Sequence, residues 1–265
     1  MSSSSLEARV LAPLATLLDS SGHVDPDSMA RQIESLRGRA EGLMPAIGCG
    51  EGPTLSDEQW QQVLEITIAK SDGLPVYMGI QGKNWLEIAN RLQRALKAGA
   101  DGVVVGLPRG DKTSNSEIAE ILSEFATSWP TNYIFYWESF LSERSVTAQA
   151  LSEWCVALGA AGVKDSIRNS DQTRTFKALC PSVRVYEGWE DLLDEGKNIE
   201  GIIGPLVLLS DAPLGLFGSG PDWSRCRREA REMGLLGVDY VQRVKEILLQ
   251  RKIAVTTLLA DEVPS

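Results

Sequence analysis

Lys164 closes the apolar run GAAGVK, and Tyr136 closes another, NYIFY. A lysine ending an otherwise apolar strand places an amine where charge is costly unless it is paired or gives up its proton, and the neutral amine is the nucleophile of Schiff-base chemistry. Two plainer roles compete with that one: a side chain snorkelling to solvent, or one paired with the adjacent Asp165. Tyr136 ends the preceding strand, so its phenol could reach a group held by Lys164 and move a proton, or could pack as a core tyrosine with one satisfied hydroxyl. The segment AIGCGEGPTLS carries Gly48, Gly50 and Gly52, which let the backbone approach a ligand and turn N–H groups toward an anion, or make a tight turn. Cys49, with no His partner, reads as a lining residue rather than a nucleophile. Glu190 and Asp191 in YEGWEDLL could accept hydrogen bonds from substrate hydroxyls, although acidic residues opening a helix serve its dipole equally well.

The elements that must position these residues are short apolar runs alternating with amphipathic stretches. Strands are predicted over 10–17, 42–47, 75–78, 102–105, 133–136, 160–164, 183–186 and 201–203, several as continuous apolar runs of the kind covered on both faces. Helices are predicted in SDEQWQQVLEITIAK, KNWLEIANRLQRALKAG, NSEIAEILSEFATSW and TAQALSEWCVALGA, with Asp25 or Asp27 and Ser56 as N-caps. Eight strands alternating with helices predict an α/β fold, a (β/α)8 TIM barrel, over 9–212. A helix–Gly–strand phrase recurs in KAGADGVVVG, ALGAAGVK and EGKNIEGIIG, as a repeating barrel requires. Residues 1–8 read as a disordered tail, and 213–265 as a short C-terminal helical extension of two helices parted near Gly234–Gly237, with ADEVPS as a loose end. In such a barrel the chemistry belongs to the residues that finish each strand.

Composition narrows the chemistry. A net charge of -10 has the wrong sign for binding nucleic acid or anionic lipid, and the single histidine, His23, leaves little for a catalytic zinc or a Ser-His-Asp triad. The four cysteines show no C-x-x-C spacing, and neither a signal peptide nor a membrane-length apolar run is visible, so a cytoplasmic protein with free thiols is expected.

Six motifs in order, ATLLDSSGHVD, GCGEGPTLSDEQW, AGADGVVVGLP, YIFYWES, GVKDS and VYEGWEDLL, resemble the dihydrodipicolinate synthase and N-acetylneuraminate lyase family from about residue 9 to about residue 205. The resemblance implies a metal-free class I mechanism with no cofactor beyond a Schiff base of Lys164 with a 2-oxo acid. Tyr136 would be the proton-shuttling tyrosine, and the N–H groups of Gly48 and Cys49 would hold the substrate carboxylate. Ser166, Gly188, Glu190, Asp191, Gly204 and Arg109 complete the expected substrate-binding set. The implied partners are a small-molecule 2-oxo acid, an aldehyde and further copies of the chain in a homo-oligomer, dimer or tetramer. The departures are specific. Gly48 and Cys49 stand where the family has two hydroxyl residues, which removes the first hydroxyl of its proton relay. Arg109 and Gly110 replace a tyrosine pair, Trp137 and Ser139 replace Asn and Pro, and Leu141 replaces the arginine by which the synthase holds its second substrate. The FLS and GWED stretches look more like the sialic acid lyase branch, yet Pro205 replaces its serine. The expected activity is therefore a class I aldolase or lyase other than dihydrodipicolinate synthesis. A 2-oxo acid dehydratase or hydratase-aldolase using the same imine, and a non-catalytic 2-oxo acid binding barrel, remain open at this point.

Overall fold

The structure is a computed structural model that describes residues 6–193, 199–218 and 221–263. Eight parallel strands follow in order: β1 (Leu11–Ala12), β2 (Gly42–Leu43), β3 (Tyr77–Gly79), β4 (Gly102–Val105), β5 (Asn132–Trp137), β6 (Gly162–Asp165), β7 (Arg184–Glu187) and β8 (Gly201–Ile202). Strands β3 to β8 pair in sequence and β1 pairs with β2. Single parallel bridges, Leu43 to Val76 and Val10 to Ile202, join the two sets at both ends and close the ring. The first two strands are shorter than the apolar runs predicted for them, because past Ala12 and Leu43 the chain leaves the ladder to build the mouth.

Helices cover the outside: α1 (Pro26–Ser35), α2 (Asp57–Lys70), α3 (Trp85–Ala98), α4 (Asn115–Ser128), α5 (Ala148–Leu158) and α6 (Ser170–Leu179). Their ends follow local chemistry. Asp25, rather than Asp27, caps α1, Ser56 and Gln59 form a capping box on α2, and Gly99 and Gly159 end α3 and α5 in the left-handed conformation. Among the described residues no helix lies between β7 and β8; a 3-10 turn at Glu190–Leu192 stands there instead.

Strand parity orders the barrel interior. The odd strands contribute Leu11, Tyr77, Ile134 and Tyr186, and the even-strand side adds Met44, Val104, Lys164 and Ile203 above them; all but Lys164 belong to one buried apolar cluster. The glycines that open the even strands make room for the large odd-strand side chains. A Cβ on Gly102 would lie 2.7 Å from the Tyr77 ring, and one on Gly201 would lie 2.3 Å from that of Tyr186. In KAGADGVVVG and ALGAAGVK the phrase is thus a packing device as well as a helix stop, while Gly196 of EGKNIEGIIG lies outside the described residues.

Two expectations at the termini are corrected. Leu6 is buried in the interior cluster and the Tyr186 hydroxyl donates to the Ala8 carbonyl (2.7 Å), so the chain is built into the barrel base from residue 6; residues 1–5 lie outside the described set. The C-terminal segment forms the two predicted helices, α7 (Trp223–Glu232) and α8 (Tyr240–Gln250), but it is no appendage. Cys226 and Ala230 of α7 are buried, and the Arg227 guanidinium donates to the Leu193 carbonyl beyond β7. Helix α8 packs at the mouth, and the chain beyond it docks as well: the Thr256 hydroxyl donates to the Leu18 carbonyl, and Ala260, the first residue of the expected loose end, donates its N–H to Glu51 (2.8 Å), while residues 264–265 lie outside the described set.

Gly201→Ala should cost about 1–3 kcal/mol through overpacking, since its methyl meets both the Tyr186 ring and the Arg9 carbonyl. Urea denaturation of the two proteins at equal m-value measures it.

Candidate active site

Tyr136 and Lys164 are direct partners in the β5–β6 ladder, so their side chains leave the sheet on the same face, into the barrel mouth. Both are buried, and the Lys164 Nζ lies 3.9 Å from the centroid of the Tyr136 ring and 3.4 Å from the Ser166 Oγ. The amine thus meets the face of the ring on one side and a serine hydroxyl on another. Asp165 accepts from the Thr173 hydroxyl (2.5 Å) and the Ile167 N–H (3.1 Å).

Beyond β2 the chain makes a 3-10 turn at Gly48–Gly50 with Glu51 left-handed at its end. The first N–H groups of such a turn, those of Gly48 and Cys49, have no acceptor within it. Gly48 has φ +49°, and a Cβ there would lie 3.4 Å from the Tyr240 Oη, 3.5 Å from the Lys164 Nζ and 3.8 Å from the Tyr136 Oη. The Cys49 thiol is buried, and burial pushes its pKa up to about 12, which suits a lining residue and not a nucleophile.

Glu51, Lys245, Tyr240 and Glu138 were not singled out from sequence. Glu51 and Lys245 form a buried ion pair with Nζ and Oε2 2.5 Å apart; Lys245 also donates to the Leu258 carbonyl (2.6 Å). Burial pushes the carboxyl up and the ammonium down, and each charge opposes the shift of the other. The pair ties α8 to the glycine turn and sets Tyr240, the first residue of α8, over Lys164. The Tyr240 ring stands edge-on to Trp189 (centroids 5.4 Å), and burial pushes its phenol well above the usual range. One signal in the sequence pointed this way: Lys245 falls on the buried stripe of α8, between Val244 and Leu248. Glu138, which follows β5, accepts from the N–H groups of Leu141 (2.6 Å) and Ser142 (3.0 Å) and shapes the FLS loop.

The other expected site residues divide. Ser166 and Gly188 lie at the amine, and a Cβ on Gly188 would meet the Ser166 Oγ at 2.2 Å, so the glycine leaves that hydroxyl its place. Glu190 is corrected: it lies beneath the site, fully buried, accepting from the Leu206 N–H (2.7 Å), with Gly204 cleared for its carboxylate rather than for a ligand. Asp191 holds Arg168 (2.8 Å), whose guanidinium stacks on Trp189 at 4.1 Å. Arg109 is also corrected: it is exposed, bound to Glu143 (2.6 Å) and outside the residues that line the mouth.

Above the amine the mouth opens into a cavity of ≈ 550 Å³. Its walls include Phe140, Leu141, Ile167, Leu236, Val238 and Leu259.

A sequence profile of the Dihydrodipicolinate synthetase family matches residues 6–204. The 4-hydroxy-tetrahydrodipicolinate synthase of Rhizobium meliloti (strain 1021) is 29% identical over 198 residues, which cover 72% of this chain and 66% of that protein. The chain thus spans about two thirds of the length of such relatives. Among solved structures, YagE of E. coli K12, a dihydrodipicolinic acid synthase family protein in complex with pyruvate, superposes with TM-score 0.87 at 22% identity, covering 96% of this chain and 91% of that one. The 2-keto 3-deoxygluconate aldolase from Picrophilus torridus gives 0.78 at 17% identity, covering 90% and 93%. These likenesses show the fold.

Burial pushes the Glu190 carboxyl up to about 7, so the folded protein holds a proton there that the unfolded chain releases near 4.5. Between those values the native state binds more protons, and stability falls as pH rises. Glu190→Gln should match the parent near pH 4.5 and exceed it at pH 8 by a margin on the order of 3 kcal/mol, given the shift from 4.5 to about 7. Denaturation midpoints across that range check it.

Proposed function

The chain belongs to the dihydrodipicolinate synthetase family, and on that premise we propose that it is a class I, imine-forming aldolase that breaks or makes the bond between a pyruvate unit and an aldehyde. The observation that carries this reading is the buried Lys164 amine lying 3.9 Å from the Tyr136 ring centroid at the closed floor of the mouth.

The amine adds to C2 of a 2-oxo acid, and loss of water leaves an iminium. In the cleavage direction a base takes the proton of the C4 hydroxyl, the C3–C4 bond breaks, and its electron pair moves to the nitrogen as an enamine while the aldehyde departs. The enamine takes a proton at C3, and water returns the amine and the pyruvate unit. Tyr136, ending the neighbouring strand, is the group placed to carry that proton. The N–H groups of Gly48 and Cys49 supply a carboxylate site without a cationic side chain. Ser166 receives the amine's hydrogen bond.

The mouth argues for the acceptor. A sugar-like aldehyde brings a hydroxyl on nearly every carbon, and each needs a partner once buried. Here the charged groups inside the mouth are already engaged, Glu51 by Lys245, Glu138 by the loop N–H groups and Arg168 by Asp191, while Asp239 and Asp261 stand exposed at the rim and Thr54, Ser139 and Gln242 are neutral polar side chains of the lining. Much of the wall is apolar, and Arg109, the cation expected among the substrate-binding residues, lies outside it. An aromatic or branched alkyl aldehyde fits this chamber, and dihydrodipicolinate synthesis does not.

Incubation with pyruvate and borohydride should add the mass of a reduced pyruvyl group to Lys164, located by peptide mapping, and Lys164→Ala should abolish both adduct and turnover. No adduct in the unaltered chain, with pyruvate or larger 2-oxo acids, would sink the imine reading and favour a non-catalytic barrel. With pyruvate as donor, benzaldehyde and isobutyraldehyde should give kcat/KM at least about tenfold above glyceraldehyde, the scale on which apolar pockets discriminate. The reverse order would overturn the acceptor assignment.

A further inference from the structure

The side chain that Gly48 lacks marks a point on which three polar heads converge: the Tyr240 Oη at 3.4 Å, the Lys164 Nζ at 3.5 Å and the Tyr136 Oη at 3.8 Å. A small chamber of ≈ 10 Å³ lies here, walled by these four residues together with Cys49, Ser166 and Trp189. That is about the room for one oxygen atom. Nothing in the mechanism so far uses Tyr240, although its hydroxyl faces the reacting amine and its position is over-determined. The ring is braced edge-on by Trp189, and α8 is anchored by the buried Glu51–Lys245 pair.

We propose that Tyr240 is a positioning residue for proton transfer at Lys164, its hydroxyl holding the departing oxygen and the Tyr136 phenolate left behind. The proposal rests on the imine reading. When the Lys164 nitrogen has added to C2, the former carbonyl oxygen is a hydroxyl on a carbinolamine, and the chamber is the place for it. The C–O bond breaks with its electron pair on oxygen, the nitrogen lone pair forms the C=N bond, and the Tyr136 proton passes to the oxygen, which leaves as water. Tyr136 is then a phenolate beside an iminium cation. Tyr240 keeps its own proton throughout and donates a hydrogen bond first to the leaving oxygen and then to the phenolate. The phenolate is next the base that takes the C4 hydroxyl proton, so protons and charge balance over the cycle. A donor held in a water-poor site and aimed at developing negative charge is the kind of group whose removal costs most in turnover and least in binding. Helix α8 thereby supplies from within the same chain a hydroxyl that the glycine turn does not carry.

Tyr240→Phe keeps the ring against Trp189 and removes only the oxygen. The expected result is a fall in kcat of about 10²-fold with KM for pyruvate changed less than about threefold, as for loss of one donor to developing charge. Trapping of pyruvate on Lys164 by borohydride should still occur, at a reduced rate. Replacing Tyr240 with 3-fluorotyrosine makes the hydroxyl a stronger donor while keeping the ring, and should change kcat at fixed neutral pH by about twofold or more with KM for pyruvate little altered. This measurement decides the matter if Tyr240→Phe does not fold. A Tyr240→Phe turnover within about twofold of the parent, or a fluorinated protein with the same kcat as the parent, would overturn the proposal. Loss of the Lys164 adduct in the unaltered protein would instead remove the imine reading beneath it.

Discussion

The mouth of this barrel depends on one buried ion pair. Glu51 ends the glycine turn after β2 and Lys245 lies about a turn and a half into α8, and with both heads out of water each has the other as its compensating charge. Removing either charge would strand the other in a dry interior, at a cost of about 3–5 kcal/mol. The pair therefore acts less as a gain in stability than as a register pin. The Leu258 carbonyl and the Ala260 N–H complete its hydrogen bonding and bring the last described residues to the same point. Around that point the turn of β2, helix α8 and the C-terminal strand of chain become one wall.

Opposite this wall the chemistry is set by strand parity. Alternating side chains of parallel strands fill the interior, and the glycines of the even strands allow the aromatic rings of the odd ones to pack the lower barrel. That solid floor keeps the Lys164 amine from sinking into hydrocarbon and points it up at the mouth. Its lateral position follows from register, because Tyr136 and Lys164 are paired residues of adjacent strands. The amine thus meets a ring face and a serine hydroxyl instead of bulk water, and Asp165, the next residue, accepts from Thr173.

Eight strands, Lys164 and Tyr136 were legible in the sequence for a physical reason: a parallel strand is an apolar run, and a polar residue that ends one must face the mouth. The positions that misled were those where spacing alone gave no side. Glu190 looked like a substrate ligand because it follows β7, but it is turned beneath the chain, where the Leu206 N–H needs an acceptor. Arg109 follows β4 in the same way, and the solvent-side pull of Glu143 takes it out of the mouth. Tyr240 and Glu51 were hidden because their importance arises from contacts between distant segments, which no local period encodes. The tail at each end was read as loose because short polar stretches carry no pattern. Leu6 and Ala260 are nonetheless fixed by partners far away in sequence.

The late position of α8 separates two kinds of completeness in this molecule. The ring of strands closes through the bridge from Val10 to Ile202, so its hydrogen bonding involves nothing beyond β8, whereas Tyr240 and Lys245 come from the segment that follows. A chain cut before Tyr240 would keep Tyr136 and Lys164 in register but leave Glu51 a buried carboxylate without its ammonium. The barrel is thus finished by its strands, and its mouth only by its last helix.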